Sequence, residues 1–277
     1  MEPSLWFPDS LASEFRGDIT RMHISELNPD KFTQDFFRAR RPVFVQDAAA
    51  NLFDGTEDDS IWSMTGLLRC KHAKEKLPII ADNGDVAYTA DGVPNPAAQI
   101  DMDVAEVLQQ ANRTVIFIGA RISSLQASNV SDGFRLFSEL FSTYKEQNSF
   151  AHNIWFETAR LHLENQAGAT PHAHGAVLNV LFKNAKRWII ADIKSQRMPD
   201  GVYDPSAEQA FQQLWLRPGQ NAHDWFMEHS LRDANYYNVT LYDFVQQEGD
   251  VLSVPDIFLH ATINLCRDTI GAVLGAA

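Results

Sequence analysis

The sequence predicts a mainly β protein with flanking helices, an α+β chain whose second half forms a sandwich or jelly roll. Three observations carry that prediction. From residue 151 onward, short β-branched and aromatic runs alternate with Gly, Pro, Asn and Asp, the punctuation of an all-β scaffold. Before residue 150, strand-like and helical stretches are mixed instead. No low-complexity linker or internal repeat separates the halves, so residues 1–277 are expected to form one domain, with an α+β part over 1–150 and a β core over 151–277.

In order along the chain, DKFTQDFFRAR (30–40) has helical character and feeds the β-branched strand RPVFVQD (41–47). SIWSMTGLLRCKHAKE (60–75) spaces apolar residues as a helix does, with basic residues toward its end. GDVAYTADGVPNPAAQ (84–99) reads as turns and a surface loop, TVIFIGA (114–120) as a strand and DGFRLFSELFSTYKEQ (132–147) as an amphipathic helix. The β core is expected from NIWFETARLHLEN (153–165), VLNVLF (177–182), RWIIADI (187–193), NVTLYDFVQQ (238–247), DVLSVP (250–255), LHATINL (259–265) and TIGAVLG (269–275). Residues 196–237 interrupt it with two helical pieces, SAEQAFQQLWL and NAHDWFMEHSL. An excursion of that length suits a rim or lid, with Trp215, Trp225 and Phe226 as rim candidates and burial in the core as the alternative.

A formal net charge of −13 with no compensating basic patch speaks against nucleic acid and anionic lipid as partners. No run approaches the roughly 20 apolar residues of a membrane span, and no secretory leader is visible at the start, so a soluble protein is expected. Cys70 and Cys266 can form one disulfide or stay as thiols, and cannot make a metal cage alone. Sequons at Asn112, Asn129 and Asn238 would accept N-glycans if a removed leader had sent the chain into the secretory pathway.

ATPHAHGAVLNVLFKNAKRW (169–188) carries the chemistry. Side chains alternate along a strand, so His172 and His174 point the same way and can converge on one ion. A facial ligand set needs a third member from a neighbouring strand, for which His260 in FLHATINL is the natural candidate. Each of these histidines can instead be a hydrogen-bonded structural residue. The remaining six, at 23, 72, 152, 162, 223 and 229, are read as structural or solvated.

Several pieces occur in an order that resembles the JmjC domain of the cupin-type oxygenases. They are His172-Ala-His174, Asn179, Lys186-Arg187-Trp188, the run GDVLSVP from Gly249 to Pro255, and His260 followed by Asn264-Leu265. RRPVFVQDA (40–48) resembles the opening strand of the small JmjC hydroxylases, with Trp62 fitting the helix after it. The resemblance implies a double-stranded β-helix (the jelly roll of the cupins) holding Fe(II), or another divalent transition metal, on His172, His174 and His260. It further implies 2-oxoglutarate as cosubstrate, with Lys186 pairing with its far carboxylate and Asn179, Asn264 and Thr170 as further cosubstrate contacts. Thr170 stands two residues before His172 where the family usually has three.

The implied activity is hydroxylation of a protein side chain or small molecule. His174 departs from the family, which has Asp or Glu there; an imidazole raises the charge of the centre and favours softer ions such as Zn(II), Cu(II) or Ni(II). The same residue therefore also fits a non-catalytic JmjC module that binds metal or a partner protein, or a three-histidine cupin dioxygenase without cosubstrate. Taking His174-Gly-Ala176 as the motif instead gives the pattern of 2-oxoglutarate halogenases, with His172 a bystander. An HxHG running without insertion to KRW is similar to a JmjC group of the endoplasmic reticulum lumen; without a leader the compartment is cytoplasmic. The small hydroxylases dimerise through a C-terminal helical extension, and with the sequence ending just after the last strand a monomer is expected.

Overall fold

The computed structural model describes residues 18–49, 141, 168–172, 175–192, 225–226, 240–256, 258–266 and 269–275, and the backbone of strands lying between 76 and 159. Among the described residues the chain is mainly β-sheet with one short helix. The strands are β1 (Thr20–His23), β2 (Val43–Gln46), β3 (Lys76–Asp82), β4 (Asp85–Val86), β5 (Gln99–Asp103), β6 (Val115–Ala120) and β7 (Ile154–Ala159). They continue as β8 (Gly168–His172), β9 (Val177–Lys183), β10 (Lys186–Asp192), β11 (Thr240–Gln246), β12 (Val251–Val254), β13 (Leu259–Asn264) and β14 (Thr269–Gly275). The helix α1 (Pro29–Phe32) starts where Asn28 Oδ1 accepts from the Lys31 amide at 2.9 Å and Pro29 fills the first turn without needing a donor. It runs into a wider turn, Thr33–Phe37, and the stretch buries Phe32 edge-on against Phe141, ring centres 4.8 Å apart.

Two sheets result. One has the order β1-β2-β12-β9-β14-β7-β6-β3-β5 and the other β11-β10-β13-β8-β4. From β7 to β14, successive strands change sheet at every step except β10 to β11. Between the sheets lies an apolar cluster of Phe44, Val177, Leu252 and Val254 from the first with Trp188, Ile190 and Phe244 from the second, joined by Phe258. Phe44 and Phe244 meet edge to face at 5.7 Å, which joins the N-terminal strand β2 to the late strand β11 across the core.

Alternation and register define which residues share that inner face of the second sheet. Lys186, Trp188 and Ile190 of β10 are opposite Gln246, Phe244 and Tyr242 on β11, and opposite Asn264, Thr262 and His260 on β13. Three rows follow from this: an apolar middle, a polar end at Lys186 and a histidine end at His260. The outer face carries Arg187, whose guanidinium grips both carboxylate oxygens of Asp243 and lies 5.9 Å from the centre of the Phe226 ring. Trp225 and Phe226 are themselves buried, so these two candidates for a substrate rim belong to the packed interior. Trp215 lies outside the described residues.

The expected strands at 41–47, 114–120, 177–182, 187–193, 238–247, 250–255, 259–265 and 269–275 are present, each within a residue or two of the bounds expected. Three strands fall outside every expected element, β1, β3 and most of β5, and the expected loop 84–99 contains the short β4 and the first residue of β5. β7 covers 154–159 of the run expected as strand over 153–165, and the rest of that run lies outside the described residues. The helices expected over 60–75 and 132–147 and most of the insertion 196–237 lie outside the described residues, apart from Phe141, Trp225 and Phe226. So do Trp62, Cys70 and the sequon asparagines Asn112, Asn129 and Asn238; Cys266 is an exposed free thiol. No described helix is long and apolar enough to cross a membrane.

Candidate metal and carboxylate site

Gly168 and a bulge set the position of the first histidine. His260 is the register partner of His172, yet Thr262, two residues on, is opposite Ala169, three residues back on β8. The extra residue falls at Thr170-Pro171, where a proline is tolerated because a bulge demands no ladder donor. The slack is taken up at Gly168, where an added Cβ would stand 1.9 Å from the Thr262 carbonyl oxygen. Such close approach lets the Ala169 amide donate to Thr262 Oγ1 at 3.3 Å. A bulge re-aims the side chains that follow it, and here the next one is His172.

The consequence is a buried pair of imidazoles. The His172 and His260 rings have centres 4.3 Å apart and planes 59° apart, and both residues are buried. The His260 Nδ1 lies 3.0 Å from the Phe258 carbonyl oxygen, which can only accept, so the proton sits on Nδ1 and Nε2 bears the lone pair. A ring centre stands about 3.2 Å from an ion bound at about 2.1 Å, so two imidazoles at right angles about one ion have centres about 4.6 Å apart. The observed separation is close to that value. β8 ends at His172, and His174 lies outside the described residues, so two of the three expected ligands are seen together.

At the other end of the same face Lys186 is 2% exposed rather than solvated at a strand end, with Nζ 5.5 Å from the centre of the Trp188 ring. Asn264 is its register partner on β13. Asn179, on β9 of the facing sheet, and Asn264 are both buried. Asn179 Oδ1 and both amide atoms of Asn264 have no hydrogen-bond partner among the described residues. Buried amides without partners are costly, and with the buried Lys186 side chain they supply the polar groups that an anionic, oxygen-rich guest would need. Four residues of β10 separate Lys186 from Ile190, the partner of His260, or about 13 Å along the strand. A lysine side chain reaching back and a short dicarboxylate together bridge that distance. Thr170 lies on β8 at the bulge, with its side chain outside the described residues.

Sequence reasoning passed over Gln246. It is wholly buried: Oε1 accepts from Trp188 Nε1 at 2.9 Å, while Nε2 donates to the backbone oxygens of Asn179 and Asp250, each at 3.0 Å. The readable signal was its place as the polar third member of the alternate series Tyr242, Phe244, Gln246. Asp250, beside it, accepts from the amides of Gln247 (3.0 Å) and Asp47 (3.4 Å), and burial pushes its carboxyl above the ordinary range. Gly249, with φ of 85°, makes the turn that presents Asp250.

No protein-family model matches this chain, and no curated protein does. The functional reading therefore stands on the residues themselves.

Proposed function

We propose that the chain is a JmjC-type non-haem Fe(II)/2-oxoglutarate-dependent oxygenase on a double-stranded β-helix, hydroxylating a protein side chain or small molecule. The carrying observation is that His172 and His260 are register partners with rings 4.3 Å apart, on the same inner face as buried Lys186. The strand order supports the fold reading: β7-β14-β9-β12 in one sheet and β11-β10-β13-β8 in the other, with strands crossing between them, is the pattern of a jelly roll.

In this reading His172, His174 and His260 hold the metal, and Lys186 with Asn179 and Asn264 receives the far carboxylate of 2-oxoglutarate. Bound together, iron and 2-oxoglutarate would activate dioxygen, the oxidant, one of whose oxygen atoms would go to succinate as CO2 is lost and the other to the hydroxylated C–H bond. The chain's share is to keep His260 in the Nδ1-protonated tautomer through Phe258, to hold the buried Lys186 on the same face as the histidine pair, and to exclude water with the cluster around Trp188. Within the JmjC proteins the HxHG spacing is similar to the group named JmjC domain-containing protein 8, which favours the endoplasmic reticulum lumen.

His174, where the family has a carboxylate, favours a second reading: a metal-binding JmjC module without turnover. A three-histidine dioxygenase would leave the buried Lys186 without a role in the chemistry, and the halogenase pattern would leave His172 without one. Purified protein freed of metal and reloaded with Fe(II) tests the choice. The oxygenase reading expects succinate from 2-oxoglutarate in the parent and its loss in His172→Ala, His260→Ala and Lys186→Met. Metal binding without succinate, in both the parent and His174→Asp, selects the non-catalytic module; failure to bind any divalent ion defeats both.

A further inference from the structure

Trp188 touches both ends of the proposed site. Its ring centre is 5.9 Å from that of His260, with planes 36° apart, and the Lys186 ammonium stands 5.5 Å from the same indole. Rotation of a tryptophan about its second side-chain bond is only loosely restrained, so packing and hydrogen bonding must select the plane of the ring. The indole has one polar atom, Nε1, and it donates to Gln246 Oε1 at 2.9 Å. Gln246 cannot flip in response. Its amide nitrogen donates to the Asn179 and Asp250 backbone oxygens, and reversing the amide would set N–H against the indole N–H and oxygen against two carbonyls.

We infer that Gln246 is a positioning residue for the metal centre: it fixes the plane of the Trp188 indole, against which the His260 imidazole and the Lys186 ammonium both bear. The inference rests on the metal-binding reading above and adds residues that touch no ligand. Gln246 draws its own rigidity from the facing sheet, through Asn179 of β9, and from the turn at Asp250, so the support of the centre spans both sheets. Partners one shell removed from a metal ligand change metal affinity by roughly 10- to 100-fold when lost.

The test is a titration of the purified, metal-free full chain with Co(II), followed by the visible absorption of the bound ion, in Gln246→Leu, Trp188→Phe, the double variant and His260→Ala. Gln246→Leu is expected to weaken Co(II) binding about tenfold in the parent and to have no further effect on the Trp188→Phe background. A merely structural glutamine would lower stability in both backgrounds and leave the affinity of the folded protein unchanged. Parental affinity in folded Gln246→Leu, with binding lost in His260→Ala, overturns the positioning role and spares the metal site. Parental affinity in His260→Ala overturns both. If Gln246→Leu does not fold, Trp188→Phe alone decides: about tenfold weaker binding sustains the inference, and parental binding overturns it.

Discussion

Replacing Gly168 by alanine tests the link between strand geometry and the histidine pair. The new Cβ would stand 1.9 Å from the Thr262 oxygen and 2.8 Å from both Ile263 Cα and Thr262 C, all backbone atoms that cannot swing away. Real Cβ atoms stay at least 3.0 Å from such neighbours, so β8 and β13 must part by about 1.1 Å, the shortfall of 1.9 Å from 3.0 Å. Overpacking of this kind costs about 1–3 kcal/mol. Separation also breaks the Ala169 N–H to Thr262 Oγ1 bond, already 3.3 Å long, for about 0.5–1.5 kcal/mol more. The combined expectation is a loss of about 1.5–4.5 kcal/mol in urea unfolding. Because His172 follows the bulge on the same strand, Co(II) affinity should fall with it. A folded Gly168→Ala variant within about 0.5 kcal/mol of the parent, with parental Co(II) affinity, would refute the claim that this close approach sets the site.

Three further outcomes follow from the same residues. Lys186→Met should keep Co(II) affinity and weaken 2-oxoglutarate binding roughly 10- to 100-fold, the worth of a charge-assisted hydrogen bond, as measured by calorimetry on the Co(II)-loaded protein. Burial raises the Asp250 pKa above 3.8, so its contribution to stability is fully present below pH 3.8 and is lost as pH rises through the folded value. Asp250→Asn should therefore gain on the parent as pH rises through that window, and a pH-independent difference between the two unfolding curves would contradict the assignment. Arg187→Met should cost about 2–4 kcal/mol by stranding the Asp243 carboxylate, whereas Arg187→Met with Asp243→Leu should recover more than half of it in the same denaturation assay.

Much of the β core was legible because its strands are β-branched runs ended by turn residues: VLNVLF, RWIIADI and LHATINL need no tertiary information to be read as strands. β3 and β5 were not. KLPIIAD carries a proline that demotes a run, and QIDMD alternates apolar residues with aspartates among loop signals; pairing of β3 with both β5 and β6, and of β5 with β3, decides them. At the site, an HxH motif and a later histidine could be read as converging, but the bulge at Thr170-Pro171 that aims His172 depends on the opposite strand and leaves no periodic trace. Lys186 is singled out by the resemblance, but its burial was not legible, because a single sequence does not say that β11 and β13 flank it. Gln246 escaped notice for a similar reason: a glutamine before a turn is ordinarily at the surface.

The pairing of β2 with β12 has a consequence for how the chain is made. Val43, Phe44 and Val45 are wholly buried against Val251, Leu252 and Ser253, and the Asp47–Asp250 contact beside them spans 203 residues. At about 5–20 residues per second, a nascent VFV segment waits roughly 10–40 s on the ribosome for the strand that shields it. During that interval it offers bare backbone and three apolar side chains to any other extended polypeptide, which makes the newborn protein a client for chaperones that grip such segments.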